Sequence, residues 1–356
     1  MFSNFFLRLL RILLLPFSLL YFIAIAIRKW MYDKKVFSSS AFGLPVICIG
    51  NLSVGGTGKS PMVEYLVSML KDKFKVATLS RGYKRKTRGY TLADETSTAL
   101  EIGDEPMQFH LKFPEVAVAV GEERLEAMPQ LLHDRPETEV VILDDAFQHR
   151  SIRAGLNILL TDYANLFTRG YYLPSGDLRD LKSSYKRANI IVVTKCRRNL
   201  SIEEKQKIIL EIKPLKQQSV FFTTIEYGEP YHISEKKTIT LNRKMKVLLV
   251  SGIANPRPLK KMLEEKCRTY YKMHYPDHYI FNIDDMKAIM KKFESIETKN
   301  RIILTTEKDA VRLVKFNDVI KELPLYVQPV RHSFLFAEET IFTKQVTRFI
   351  ENFNRN

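Results

Sequence analysis

The sequence predicts an α/β protein with a P-loop NTPase-type parallel sheet, helices on both sheet faces, a second and smaller α/β lobe, and an amino-terminal membrane-anchoring helix. Three observations support this fold class. Short continuous apolar runs alternate with polar or helical segments, as in parallel sheets that are buried on both faces. A glycine-rich loop that ends in Gly58-Lys59-Ser60 follows the first of these runs. An apolar, uncharged stretch precedes the folded body.

The amino-terminal segment, residues 1–37, is expected to associate with a membrane. Its uncharged core, Ile12–Ile27, has 16 residues and contains Pro16, whereas a spanning helix needs about 20 apolar residues. Basic residues and one tryptophan flank this core: Arg8, Arg11, Arg28, Lys29 and Trp30. The pattern favours a monotopic anchor in the cytoplasmic headgroup region, where cations meet anionic lipid. A spanning helix stays open as an alternative.

Two other interpretations of this segment compete with an anchor. Ala24-Ile25-Ala26 resembles the cleavage site of a secretory signal, and a buried core helix has a similar composition. The nucleoside triphosphate motif downstream argues against secretion. The three cysteines, Cys48, Cys196 and Cys267, lack metal-site or disulfide-framework spacing, which indicates a reducing compartment.

Residues 38–216 are predicted to form the P-loop domain. A helix is expected over Pro61–Leu70, after the glycine-rich loop. The apolar runs that predict its strands are Val46–Ile49, Lys75–Leu79, Val116–Val120, Val140–Leu143, Asn157–Leu160 and Ile190–Val193.

Residues 217–356 are predicted to form the smaller lobe, which closes over the active-site cleft. Its expected elements are strands at Val220–Glu226, Lys246–Val250 and Ile302–Leu304, a helix after Pro258, and a last amphipathic helix near Glu338–Phe349.

The phosphate loop is the strongest single motif. Glycines let backbone N–H groups converge on phosphate oxygens, and the helix that follows adds a partial positive charge. Lys59 is expected to reach the β- and γ-phosphates, and the Ser60 hydroxyl to hold Mg²⁺. Ser53 stands where the usual pattern begins with glycine. The predicted nucleotide-binding residues are Ser53, Val54, Gly55, Gly56, Thr57, Gly58, Lys59 and Ser60.

Asp144 and Asp145 follow the apolar run Val140–Leu143 and are the predicted carboxylate ligands of Mg²⁺. Adjacent residues on an extended chain point in opposite directions, so one aspartate is expected to face the metal and the other to orient a neighbour. Gln148 and His149 should add hydrogen-bonding groups at the same sheet edge. A simple turn after the strand is the alternative.

Three further clusters are candidates for the site. Arg81 lies in a basic loop after the second strand, which either embraces a phosphate or is only solvated. Asp104 lies in Gly-Asp-Glu-Pro at a predicted helix start, where its carboxylate is either a base or an N-cap. His278 follows Pro276-Asp277, and its side chain is either a catalytic imidazole or a structural one.

Together these motifs resemble the tetraacyldisaccharide 4′-kinase family of lipid A biosynthesis. The resemblance extends from about residue 5 to residue 310, and the last 45 or so residues carry no matching motif. It implies a cytoplasmic-facing inner-membrane enzyme that moves the γ-phosphoryl of ATP to the 4′-hydroxyl of an acylated glucosamine disaccharide 1-phosphate. The segments that carry it are Gly50–Pro61, Ser80–Tyr83, Gly103–Pro106, Asp144–His149, Pro174–Arg179 and Pro276–Tyr279.

By this resemblance Asp104 matches the family's proposed base and His278 the histidine that forms a dyad with it. Lys59 and Ser60 match the phosphate and magnesium residues, and Asp144 and Asp145 the metal carboxylates. Arg81 and His149 match motif positions near the site. Three positions depart from the family pattern: Ser60 replaces threonine, Ala146 replaces glycine, and Asp180 replaces glutamate.

The chain carries a formal net charge of +16, which predicts an anionic partner. An anionic membrane surface and an acylated disaccharide lipid fit this charge, and the protein is expected to act as a monomer. Nucleic acid is not expected, because no reading helix or aromatic platform accompanies the charge. A membrane-associated partitioning ATPase is the main alternative, but it needs a lysine at the place of Val54.

Overall fold

The computed structural model of the protein describes residues 11–353. The strands are β1 (Val46–Asn51), β2 (Val76–Ser80), β3 (Thr91–Leu92), β4 (Ala117–Val120), β5 (Val140–Leu143), β6 (Leu156–Asp162), β7 (Ile190–Thr194), β8 (Ser219–Tyr227), β9 (Tyr231–His232), β10 (Lys246–Ser251), β11 (Thr269–His274), β12 (Arg301–Thr306), β13 (Leu325–Gln328) and β14 (Val330–Phe334). The α-helices are α1 (Leu15–Asp33), α2 (Lys59–Leu70), α3 (Ala99–Ile102), α4 (Asp104–Lys112), α5 (Arg124–Asp134), α6 (Ile202–Ile212), α7 (Arg257–Lys266), α8 (Ile283–Glu294), α9 (Glu307–Leu313), α10 (Asn317–Ile320) and α11 (Glu339–Phe353).

The larger sheet has nine strands in the order β14-β8-β7-β6-β1-β5-β2-β4-β3. Its seven inner strands run parallel, and the edge strands β3 and β14 are antiparallel to their neighbours. Successive residues of β1 enter opposite cores: Ile47 and Ile49 pack with α2, whereas Val46 and Cys48 pack on the other face. Burial on both faces explains the continuous apolar strands and confirms the predicted α/β class.

The smaller sheet has five strands in the order β11-β10-β12-β13-β9. Four of them are parallel, and β9 is antiparallel to β13. Helix α8 covers one face through Met286 and Phe293, and α7 covers the other through Leu263. The second α/β lobe is therefore present as the sequence predicts.

The sheets do not divide at residue 216, where the sequence places the domain boundary. Strand β8 extends the larger sheet beside β7, and β14 returns to pair with β8. Helix α11 buries Phe342 and Val346 in the core of that same sheet. The apolar run at Val220–Glu226 predicts a strand but not its partner, because pairing across about a hundred residues is decided by packing. We propose a smaller lobe of residues 229–328, joined to the larger lobe by β8 and β14.

Helix α1 exposes most of its apolar side chains, and Ser18 is its one buried residue. By length and a mean hydropathy of 1.2 it is a candidate membrane span or anchor. The Ser18 hydroxyl donates to Ser175 Oγ at 2.7 Å, and the Tyr21 hydroxyl donates to the Arg179 carbonyl at 3.0 Å. This exposure disagrees with a buried core helix. Arg8 lies outside the described residues.

Candidate active site

The phosphate loop joins β1 to α2 at the centre of the larger sheet. Gly58 caps α2 in the left-handed region (φ 86°), a conformation that favours glycine. The Asn51 side chain donates to Thr57 Oγ1 at 2.9 Å, and Thr194 Oγ1 donates to the Thr57 carbonyl at 2.8 Å. These contacts hold the loop from β1 and β7, and they leave Lys59 as the first residue of α2.

The eight predicted nucleotide-binding residues differ in how exposed they are. Val54, Gly55 and Gly56 are exposed at the crest, whereas Ser53 and Thr57 are buried beneath it. Lys59 and Ser60 open the helix, where free backbone N–H groups and the helix dipole favour anions. The loop thus has the form expected for binding phosphate.

Asp145 sits beside the P-loop lysine. Its carboxylate lies 3.7 Å from Lys59 Nζ and accepts a hydrogen bond from Arg179 Nη1 at 3.2 Å. Burial opposes ionisation of Asp145, but Lys59 and Arg179 outweigh it and lower the pKa of this carboxyl. Both aspartates occupy a turn beyond β5, and Asp145 has φ 47°, so the extended backbone assumed in the sequence argument is absent. Ala146, which stands where the family pattern has glycine, does not have a positive φ.

Asp144 is the most deeply buried carboxyl of the site. Its side chain is 2% exposed, and Oδ1 has no hydrogen-bond partner. Burial, and then the nearby Glu105 and Asp145 carboxylates, raise the pKa of Asp144 to about 8. Glu105 accepts a hydrogen bond from the Ser60 hydroxyl at 2.9 Å. Three carboxyl groups and a hydroxyl therefore meet beside Lys59, and the positive charges of Lys59, Arg124 and Arg179 lie among them.

This donor set fits a hard divalent cation. Oxygen ligands suit Mg²⁺, and the unpartnered buried oxygen of Asp144 is one that a cation would satisfy. Within residues 11–353 no group of three or more His, Cys, Asp or Glu side chains is arranged to hold a metal ion by itself. Such a group is not required, because nucleotide-bound Mg²⁺ uses one or two carboxylates together with the phosphates.

A second group of charged residues forms where the two lobes meet. Asp104 is the first residue of α4 in the larger lobe, and His278 follows β11 in the smaller one. His278 Nδ1 lies 2.8 Å from Asp104 Oδ2, although the residues are 174 positions apart. Arg312 of α9 donates through Nε to Asp104 Oδ1 at 2.9 Å and through Nη2 to Oδ2. The structure thus brings the predicted pair together and adds an arginine to it.

The electrostatics of this group keep Asp104 ionised. Burial opposes the charge, but the hydrogen bond and charge of Arg312, followed by those of His278, lower the pKa of Asp104. The Lys308 ammonium lies 3.1 Å from His278 Nε2. The Asp104 carboxylate can only accept, so His278 Nδ1 carries the proton that faces it.

Gly103 connects the two halves of the site. Its φ is 95°, and a Cβ there would lie 3.2 Å from the backbone of Gly82, in the loop after β2. Only glycine permits this close approach without displacing the loop. The motif around Asp104 therefore packs on the motif that contains Arg81. Arg81 itself is exposed and lies directly after β2.

The remaining predicted residues lie around the phosphate loop. Gln148 Nε2 donates to the Asn51 carbonyl at 2.7 Å, which supports the start of the loop. His149 is partly buried with Nε2 unpartnered, and burial lowers its pKa to about 4. Asp180 accepts from Ser184 Oγ at 2.8 Å and pairs with Arg187 at 3.1 Å. Its observed contacts stabilise the 3₁₀ helix Lys182–Arg187.

Sequence reasoning missed several contributors. Glu105 and Arg179 lie within motifs that the sequence analysis quoted, whereas Arg312 and His332 carry no sequence signal. His332, in β14, lies with Nε2 2.9 Å from the Gly58 carbonyl and Nδ1 2.9 Å from Thr223 Oγ1. It is 3% exposed, and burial lowers its pKa to about 4, so it is neutral and its Nε2 donates to the loop. The final residues therefore reach the P-loop even though they match no motif.

Comparison with known proteins agrees with this geometry. The family model described as tetraacyldisaccharide-1-P 4′-kinase (LpxK) matches residues 10–351. The tetraacyldisaccharide 4′-kinase of Flavobacterium johnsoniae is 43% identical over 347 residues, covering 96% of this chain and 98% of the relative. That of Bacteroides thetaiotaomicron is 40% identical over 357 residues, covering 96% and 94%.

A solved structure extends the likeness to the fold. The crystal structure of "apo" form LpxK from Aquifex aeolicus in complex with ATP superposes with a TM-score of 0.75 at 29% identity, covering 96% of this chain and 99% of that one. The matches span both lobes and nearly the whole sequence. On this evidence the chain belongs to the tetraacyldisaccharide 4′-kinase family, whose members are lipid-sugar kinases.

Proposed function

We propose that this chain transfers the γ-phosphoryl group of ATP to the 4′-hydroxyl of a tetraacyl glucosamine disaccharide 1-phosphate, giving the bis-phosphorylated lipid A precursor, lipid IVA. One observation supports it most strongly. The hydrogen bond from Ser60 to Glu105 places the start of α4, and with it Asp104, directly beside the phosphate loop. A candidate base next to a phosphate site is what transfer to an alcohol requires.

The partitioning ATPase is disfavoured by the P-loop crest. That class needs a lysine where this chain has Val54, which is 43% exposed and carries no charge. An apolar side chain there cannot contact phosphate across a dimer. The Asp104–His278 pair also has no role in a simple ATPase switch.

In the proposed mechanism Asp104 accepts the proton of the attacking hydroxyl. A carboxylate offers about four lone-pair positions, and Arg312 and His278 occupy three of them. The remaining position, on Oδ1, is available to the acceptor hydroxyl. His278 holds the carboxylate in place through Nδ1–H and stabilises its charge.

On the nucleotide side, Lys59 and the backbone of residues 53–60 bind the phosphates, and Arg81 lies at the same sheet edge. Ser60, Asp144 and Asp145 are the residues that would hold Mg²⁺, with Glu105 beside them. A bound Mg²⁺ supplies positive charge to the phosphate oxygens. Lys59 and Arg81 are expected to neutralise charge that develops on the transferred group.

We further propose that α1 lies on the cytoplasmic face of the inner membrane. Its polar contacts through Ser18 and Tyr21 attach one side to residues 172–179, and its apolar side chains face outward. A helix attached along its length to the folded body suits an interfacial position better than a spanning one. The acylated acceptor would then enter from the bilayer beside the P-loop.

The function is tested by incubating purified protein with ATP, Mg²⁺ and the acylated disaccharide 1-phosphate, and by measuring the product mass. We expect the addition of one phosphoryl group at the 4′ position. The disaccharide with its 4′-hydroxyl blocked is the matched control, and it should remain unchanged. ATP hydrolysis without a phosphorylated lipid would contradict the proposal.

The membrane position is tested with charged substitutions on the outward face of α1. Phe17→Glu with Leu20→Glu, at side chains 60% and 64% exposed, should release most of the protein from anionic vesicles in a flotation assay. Ile202→Glu with Leu210→Glu is the matched control, because these side chains are 61% and 73% exposed on α6. Equal flotation of both variants would show that α1 does not anchor the protein.

A further inference from the structure

A buried cluster of charges lies outside the reacting groups, between three helices. The Lys112 ammonium lies 2.5 Å from Glu64 Oε2 and 2.6 Å from Glu307 Oε1. Gln108 Nε2 also donates to Glu64, at 2.5 Å. Glu64 and Glu307 are 5% and 4% exposed, so these charges are almost removed from solvent.

The three helices in question carry most of the candidate site. Helix α2 opens with Lys59 and Ser60, α4 opens with Asp104, and α9 carries Arg312. Helices α2 and α4 run side by side in the same direction, because Ser60 contacts Glu105 and Glu64 contacts Gln108 further along.

Helices α4 and α9 run in opposite directions and are tied at both ends. Asp104, at the start of α4, binds Arg312 near the end of α9. Lys112, at the end of α4, binds Glu307 at the start of α9. One contact would fix only one end of α4 against α9, whereas these two, about 12 Å apart along α4, fix the direction of α4 relative to α9.

Glu307 also reaches the strand that joins the lobes. Its second oxygen, Oε2, accepts a hydrogen bond from the Val330 backbone N–H at 3.2 Å. Val330 begins β14, which carries His332 to the P-loop. Glu307 therefore connects α4, α9 and the linking strand, whereas Glu64 connects only α2 and α4 of the larger lobe.

We propose that Glu307 and Lys112 are positioning residues that set the direction of α4 between the lobes and thereby the place of Asp104 relative to the nucleotide. This inference rests on the proposed function. Rate depends steeply on such placement, because a displacement of about 1 Å can cost about 10²-fold in transfer. A buried ion pair is weak evidence for added stability, so a role in geometry accounts better for two carboxylates on one ammonium.

Glu64 is buried beside the second carboxylate of the cluster. Burial, and then the charge of Glu307, raise the pKa of Glu64 to about 7. The charged groups that face Glu64 are Lys112 and Glu307, and the Tyr231 phenol lies close to both carboxylates.

The test compares two substitutions that each remove one carboxylate from the same ammonium. Glu307→Gln removes the charge and one of the two acceptor oxygens that bind Lys112 and the Val330 N–H, so it weakens the link between the lobes, whereas Glu64→Gln leaves that link intact. At saturating ATP and lipid acceptor, and well below each variant's unfolding temperature, we expect Glu307→Gln to lower kcat about tenfold. The KM for ATP should stay within about twofold of wild type, and Glu64→Gln should lower kcat less than about threefold.

Equal kcat values for the two variants would overturn the proposal, as would a raised KM for ATP with kcat unchanged in Glu307→Gln. If Glu307→Gln does not fold, Glu307→Asp and Glu64→Asp replace the two glutamine variants. The expected order of the kcat values and the result that would overturn the proposal stay the same. A wild-type protein that leaves the lipid acceptor unphosphorylated would instead contradict the proposed function, so the two failures are distinguishable.

Discussion

The nucleotide end and the acceptor end of the site are built in different ways. The phosphate loop is one continuous stretch, residues 53–60, that runs from beyond β1 into the first turn of α2 and is held by contacts from β1 and β7. The base end joins Asp104, His278 and Arg312 from three elements in two lobes, across up to 208 positions. The first is formed wherever the larger sheet folds, whereas the second exists only when the lobes meet.

This difference has a mechanistic consequence. The phosphate loop should bind ATP whether or not the lobes are in contact, but Asp104 is fully supported only when the smaller lobe supplies His278 and Arg312. Under the proposed mechanism phosphoryl transfer would then require contact between the lobes, which would limit the loss of ATP to water. Substitutions at the two ends should therefore affect different kinetic constants.

The largest effect is expected at the nucleotide end. Lys59→Ala should lower kcat by about 10³-fold, because it removes a positive charge from the phosphates of the transferred group. Thermal unfolding should be nearly unchanged, since this side chain faces the site. Retention of a tenth of the wild-type turnover at saturating ATP would contradict the P-loop assignment.

The next largest loss of kcat is expected at the acceptor end. Asp104→Ala and His278→Ala should each lower kcat about 10²- to 10³-fold, as for loss of a general base, with little change in the KM for ATP. Because the two side chains share one hydrogen bond, the double variant should be scarcely slower than the poorer single variant. If the two losses simply multiply, Asp104 and His278 act independently and the dyad must be abandoned.

Arg312 should set the pH range of the base. Asp104 works only when ionised, and Arg312 is the main group that lowers its pKa against burial. Arg312→Gln should raise that pKa, so activity should disappear at a higher pH on acidification, with kcat about tenfold lower at neutral pH. Arg312→Lys keeps the charge and should shift the acid limb less. An unchanged acid limb in Arg312→Gln would show that Asp104 is not the titrating base.

The smallest effect concerns the histidine that supports the P-loop. His332→Asn should lose the hydrogen bond to Gly58, worth about 1 kcal/mol, and raise the KM for ATP about fivefold. His232→Asn is the matched control, because His232 is also buried and contacts a backbone carbonyl, that of Leu323, but in the smaller lobe. Equal KM values for ATP in these two variants would show that His332 does not contribute to nucleotide binding.

Much of the fold follows from local pattern. The glycines, Lys59 and Ser60 lie in register with an apolar run before them and a helix after them, and the structure keeps that order. Asp104 was expected at a helix start and is the first residue of α4. Such features depend on neighbours within a few residues, so one sequence is enough to predict them.

Other features had no local signature. The sheet to which β8 belongs, the return of β14 and α11, and the contacts of His332 depend on pairing between distant segments. Arg312 resembles any helical arginine until the lobes pack and its guanidinium meets Asp104. The same holds for Lys112, whose two carboxylate partners come from helices on either side of it in the chain.

Local sequence patterns were enough to predict the phosphate loop, the alternating strands and helices, the apolar amino-terminal helix and, through the motifs, the family. Periodicity, glycine conformation and residue spacing are local properties that the chain carries before it folds. Packing between distant segments sets where the lobes divide, which groups surround Asp104, and how α4 is held between α2 and α9. Those choices depend on burial and charge pairing between residues far apart in sequence, and such energies exist only once the segments are packed together.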